Sequence, residues 1–358
     1  MGMPNITITF SEVAATLVKR GERGVIGMII KDTTVPSVNP VVCASTADIP
    51  NTLSTATKKQ ISLALMGYVN TPKKVIAYII PTTAASLSDN YTAALNYFST
   101  IKFDYLVAPT AATDEMTSTI ATYVKGERTN GKLIKTILPN TASDSEGIIN
   151  YATTKVYENS TEYTTEQYCA RIAGIIAGTP LNISCTYAPL LELTDCTRLS
   201  KADMDAAVDA GKFIVWWDGE KVKTARGVNS LTTLTASKNT QFQKIKIVEA
   251  MDMITNDIKM TAEDNYLGKY PNTYDNKRLL ISAISNYFDQ LQMDGVIDAY
   301  TIDIDIPANR SYLAGKGVDV DAMTDDEIKK ANTGSYVYLT ATLKMLDAIE
   351  DIVLPITI

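Results

Sequence analysis

Residues 74–80 read KVIAYII, residues 103–108 FDYLVA and residues 133–138 LIKTIL, and the segments between them, 88–101 and 113–125, carry helical spacing. Apolar runs this short suit buried strands better than helices, and Pro81 stops the first of them. Asp89 lies in the first turn of one intervening helix, and a capping-box-like start opens the other. Strands alternating with helices predict an α/β sheet, mostly parallel, because parallel neighbours need a crossover between them.

The alternation continues outward. Residues 24–30 (GVIGMII) predict a further buried strand, and 55–68 a helix ended by Asn70, Thr71 and Pro72. A helix over 165–177 stops at Gly178 and Pro180, and one over 200–210 runs from Ser200 to Gly211. Residues 212–217 read as a strand, and Asp218-Gly219 marks a hairpin into 221–225. Past 235 the pattern changes. Long helices at 241–265 and 275–292 and strands at 296–306 and 336–346 predict a separate α+β domain.

Composition removes whole classes of function. With 46% hydrophobic and 20% charged residues, the chain is a folded protein rather than a disordered one. Its net charge of −7 argues against a nucleic-acid partner, which wants a basic face. The absence of histidine excludes Ser-His-Asp and Cys-His hydrolases and every imidazole-ligated metal. Cys43, Cys169, Cys185 and Cys196 form no CxxC pair, so free buried thiols and no zinc site are expected. MGMPNITITF at the start lacks the basic and apolar regions of a secretion signal. No window approaches the roughly 18 apolar residues of a membrane span, so no membrane insertion is expected.

Three motifs need weighing. GERTNGK at 126–132 resembles the start of a P-loop, but Leu133 stands where Ser or Thr should hold magnesium. It also follows a helix and precedes a strand, the reverse of a P-loop, and reads as a helix end and turn. Asp303 and Asp305 lie two apart on a strand, so their carboxylates share one side. Such a pair could bind a cation or act as acid and base, and a solvated sheet face is the simpler reading. Trp216-Trp217 ends a strand, as half-core, half-interface aromatics often do.

The two ends stand out. Ile6, Ile8 and Phe10 alternate with polar residues, and Ile352, Leu354, Ile356 and Ile358 recur at every second position at the other terminus. Termini are normally polar and frayed. A strand hides its backbone groups only by pairing, so each end needs a sheet. Both ends either complete this subunit's own sheet or reach a neighbour's.

QYCARIAGIIAGTP at 167–180, FIVWWD at 213–218 and KTARGVNSLTT at 223–233, followed by the helices and strand of 241–306, resemble contractile tail sheath proteins. The likeness is strongest to the compact sheaths of phages and phage-like bacteriocins, without the large outer insertions of longer relatives. The resemblance implies an N-terminal arm over 1–20, an α/β domain over 21–235, an α+β domain over 236–346 and a C-terminal arm over 347–358. It implies arms, at Ile6, Ile8, Phe10, Ile352, Leu354, Ile356 and Ile358, that add strands to neighbouring subunits. It further implies stacked six-membered rings around a tail tube, and contraction that drives the tube through an envelope. The implied partners are other copies of the chain, the tube protein, and baseplate and tail terminator proteins. Assembly is expected in the bacterial cytoplasm, with no catalysis and no cofactor. Residues 19–24 and those just before Ile352 are the expected hinges. An α/β enzyme centred on Asp303 and Asp305, or another tail or baseplate protein, are the alternatives.

Overall fold

The structure is a computed structural model, which describes Val18 and residues 23–82 and 86–357. Backbone contacts divide the chain into two units, one holding 23–253 and 347–357, the other Ile254–Leu346.

The first unit is built on one sheet. Its strands begin with β1 (Val25–Asp32), β2 (Val41–Cys43), β3 (Lys74–Pro81), β4 (Tyr105–Val107), β5 (Lys135–Pro139) and β6 (Ile148–Tyr151). The helices α1 (Thr55–Leu65), α2 (Leu87–Ser99) and α3 (Thr117–Thr129) cross between them. A small three-stranded sheet follows, of β7 (Lys155–Glu158), β8 (Thr161–Thr164) and β9 (Asp195–Cys196). Between its strands lies α4 (Thr165–Ala177). After α5 (Lys201–Asp209) the chain returns to the main sheet as β10 (Lys212–Phe213). The strand order is β10-β6-β5-β4-β1-β3-β2, parallel throughout except for the edge strand β2.

Residue alternation along the strands divides the core into two layers. Ile26, Met28 and Ile30 of β1 join one hydrophobic cluster with α1 and α4, while Val25 and Ile29 join the other with α2 and α3. Helix α4 is buried along nearly its whole length, and Thr164 opens it with a capping box to Gln167. Two expectations shift. The helix expected from 113 begins at Thr117, because Glu115 adopts φ 57° and Ala112 and Thr113 donate their N–H groups to Glu166, each at 3.0 Å. The P-loop-like stretch closes α3, with Gly131 at φ 81°, as a helix end should.

The hairpin of β11 (Val215–Trp217) and β12 (Val222–Thr224) turns through Gly219 at φ 106°. Helix α6 (Ile245–Asn265) starts in the first unit and ends in the second. The second unit continues with α7 (Tyr274–Met293), β13 (Ile297–Ile304), α8 (Ile306–Gly315), α9 (Asp325–Lys330) and β14 (Leu339–Met345). β13 and β14 pair antiparallel, from Ile297 with Met345 to Ile304 with Leu339. Helix α7 supports one face, where the Phe288 and Tyr300 rings lie 5.1 Å apart and the Tyr300 hydroxyl donates to Asp289 at 2.6 Å.

Candidate assembly interface

Among the described residues, two features of the surface lack strand partners. Among the described residues, β13 and β14 form a two-stranded sheet with no further strand on either edge, and most of β14 is exposed. Such a ribbon is marginal on its own and presents unpaired backbone donors and acceptors along both sides. The second feature is the C-terminal tail. Ile352, Leu354 and Ile356 are 82%, 73% and 77% exposed. Among the described residues, no backbone hydrogen bond ties 347–357 to another segment. Ile6, Ile8, Phe10 and Ile358 lie outside the described residues.

The expected hinge before Ile352 is anchored instead. Glu350, with a side chain only 6% exposed, accepts from the Thr186 hydroxyl at 2.6 Å and from Lys244 at 3.3 Å. Arg226 reaches Glu350 at 3.7 Å and donates to both Asp351 oxygens at 2.6 Å. Asp347 pairs with Lys244. The free tail therefore begins at Ile352. At the other expected hinge only Arg23 and Gly24 are described, and Arg23 is held by Glu249 at 3.0 Å and the Thr179 carbonyl at 2.8 Å. Arg226 lies within the 223–233 motif, which by itself implies no role for it. The one local signal for this cluster was the acidic run of Asp347, Glu350 and Asp351 immediately before an apolar tail.

The quoted motifs have physical reasons. Arg171 of the ARIAG stretch is buried, donating to Glu192 at 2.6 Å and to the Gly67 carbonyl past the end of α1 at 2.6 Å. Gly174 lets α4 approach α1, since a Cβ there would stand 2.4 Å from the Ala64 carbonyl oxygen. In the segment after β12, the Asn229 amide donates to the Phe242 carbonyl at 2.7 Å and the Ser230 N–H to the Ile148 carbonyl at 2.8 Å. A buried ionic cluster fixes the first turns of α6. Glu249 meets Arg23 and Lys135 (3.1 Å), and Asp252 meets Lys135 (2.8 Å) and Arg128 (2.8 Å). Burial alone would raise the Glu249 pKa, but the charges of Lys135 and Arg23 outweigh it and hold the group at about 2.

At the carboxyl ends of β1 and β4, where an α/β sheet can offer a ligand crevice, Asp32 and Asp114 are engaged by neighbouring groups of the chain. Asp32 accepts from the Thr34 and Ser54 N–H groups, each at 2.9 Å. Asp114 pairs with Lys31 and accepts from the Tyr91 and Thr110 hydroxyls at 2.8 and 2.7 Å. Asp303 and Asp305 are not joined in one site. Asp303 pairs with Lys329 at 2.6 Å, and Asp305 caps α8 through the Ala308 N–H at 2.8 Å. Burial pushes the thiol of each cysteine up. Among the described residues, no helix is long and apolar enough to cross a membrane.

Comparison with known proteins gives the same direction. Residues 84–230 match the phage tail sheath protein central domain, and residues 237–358 the phage tail sheath C-terminal domain. The chain is 38% identical to the tail sheath protein of Clostridium phage phiCD119 over 352 residues, covering 98% of each. It is 32% identical to the phage-like element PBSX protein XkdK of Bacillus subtilis over 63% of this chain and 50% of that protein. The fold is similar to a sheath tail protein of Desulfitobacterium hafniense, with TM-score 0.71, 20% identity, and 85% of this chain and 94% of that one covered. It is also similar to the contracted helical sheath of the anti-feeding prophage, with TM-score 0.72, 15% identity, and 100% and 99% covered. The chain belongs to the phage tail sheath family, as a tail structural protein rather than an enzyme.

Proposed function

We propose that this subunit polymerises as stacked six-membered rings around a tail tube, and that contraction of the stack drives the tube through a cell envelope. The observation that carries this reading is that one chain holds both a ribbon, β13–β14, whose edges are open among the described residues, and an exposed apolar tail from Ile352 onward. Strand addition suits both: the ribbon gains neighbours and the tail gains backbone partners. In this division of labour, 21–235 is the body, 236–346 carries the accepting ribbon, and the arms are 1–20 and 347–358. Ile6, Ile8 and Phe10 serve at one end, and Ile352, Leu354, Ile356 and Ile358 at the other. Pro355 lacks an N–H, which restricts ladder bonding on one side of that arm.

Contraction on this reading draws on burial rather than on a bound nucleotide. At about 25 cal/mol per Å2, a few hundred Å2 of apolar surface gained per subunit supplies several kcal/mol, multiplied along the stack. The tube protein, baseplate and tail terminator proteins are the further partners, and assembly takes place in the bacterial cytoplasm before the tail is released.

Negative-stain microscopy of the purified chain, alone and with a tube template, tests the proposal. Ringed tubes are expected at high concentration. A chain that stays monomeric under both conditions overturns it.

A further inference from the structure

We propose that Glu350 is a positioning residue: its socket of Ser184, Thr186, Arg226 and Lys244 latches the root of the C-terminal tail to the body and so sets where and in which direction the free tail departs. The consequence for assembly rests on the sheath reading, whereas the latch itself is a property of the single subunit.

The socket is built around the carboxylate. Thr186 accepts the Gly227 N–H at 3.0 Å, which turns its hydroxyl proton toward Glu350 at 2.6 Å. Ser184 accepts the Thr186 N–H at 3.1 Å and lies 3.4 Å from the same carboxylate oxygen. Gly227 leaves room for this loop, since a Cβ there would lie 2.9 Å from the Cys185 sulfur. Lys244 and Arg226 supply the charge. The receiving residues come from three separate segments, before and after the β11–β12 hairpin and at the start of α6, so the tail root ties them together.

The socket has a wet rim and a dry centre. The Asp351 and Asp347 side chains are 78% and 41% exposed, while Glu350 is 6% exposed. Exposed ion pairs contribute little and yield to salt, whereas a buried carboxylate with two cations and two hydroxyls is screened far less. The latch is therefore centred on Glu350, and the flanking pairs only guide it. Ile349, between them, is 88% exposed and contributes no packing. Beyond the latch, Ile352, Val353, Leu354 and Ile356 stand in solvent.

The experiment places a nitroxide label at Ile349→Cys or at Ile356→Cys in the full chain, the native thiols being buried. In the unassembled subunit the label at 349 should be restricted and the label at 356 mobile. Glu350→Ala should bring the 349 spectrum to that of 356, and Arg226→Ala should move it part of the way. Asp351→Asn, or 1 M salt, should leave it restricted. Circular dichroism reports whether each variant is folded, and Glu350→Gln serves if Glu350→Ala is not. A 349 label as mobile as 356 in the parent chain, or unmoved by loss of Glu350, overturns the latch. Tube formation by Glu350→Ala should fall at least tenfold at equal concentration. Tubes at the parental yield with a freed root overturn the positioning role. A parental chain that forms no tubes counts against the sheath reading alone, and the label spectra still decide the latch.

Discussion

A methyl group on Gly174 would meet the Ala64 carbonyl oxygen at 2.4 Å and its carbon at 3.1 Å, both backbone atoms that cannot turn aside. Overpacking of this kind costs about 1–3 kcal/mol. Gly174→Ala should therefore lower the urea midpoint while leaving the denaturant slope intact, which equilibrium unfolding measures. The sequence marked this stretch as a motif, and it matched the helix Thr165–Ala177 at both ends. It did not show why the glycine is there, because the opposing atom lies on another helix more than a hundred positions away. The paired aspartates illustrate the same limit. Two carboxylates on one strand face were expected, but the strand ends at Ile304, Lys329 pairs with Asp303, and Asp305 caps α8 instead.

At the scale of elements, ion pairs tie the first turns of α6 to β5 and α3. Glu249 ionises at about 2 in the folded chain against an ordinary 4.5. A depressed carboxylate contributes stability that is complete above about pH 4.5 and lost as the pH falls toward 2. Urea unfolding across that window should show stability declining with acid, and Glu249→Gln should flatten this part of the slope. The same substitution should cost about 3–5 kcal/mol at neutral pH, because Lys135 and Arg23 lose a buried partner. An unchanged acid slope in the variant would show that the cluster does not carry the dependence. Of the parallel strands of the sheet, β1, β3, β4, β5 and β10 were legible as apolar runs. Strands β6 to β9 were not: β6 is only four residues long, and the others belong to a small satellite sheet. Helix α3 began late because a positive φ at Glu115 and the bonds to Glu166, distant in sequence, override a plausible local cap.

Over the whole molecule, the tail from Ile352 adds little to the fold of its own subunit. Deleting 352–358 should leave the thermal midpoint within about a degree, since exposed residues contribute almost nothing to stability. Tube formation should be abolished. Calorimetry and microscopy on the same preparation check both halves, and a truncated chain that unfolds or that still forms tubes would overturn the arm assignment. The apolar alternation of this end was visible in sequence. Its socket was not, because Thr186, Arg226 and Lys244 are brought together only by the tertiary fold.

The ribbon and the tail are different surfaces on one chain, and on the proposed reading the tail of each copy joins the ribbon of the next rather than being exchanged between two copies. A bond of that type is heterologous: it closes into a circle or runs on without limit. Each added copy then exposes one new vacancy as it fills another, and growth has a polarity and no natural stopping point. Length must be imposed from outside the polymer, by whatever seeds it and whatever occupies its last vacant edge.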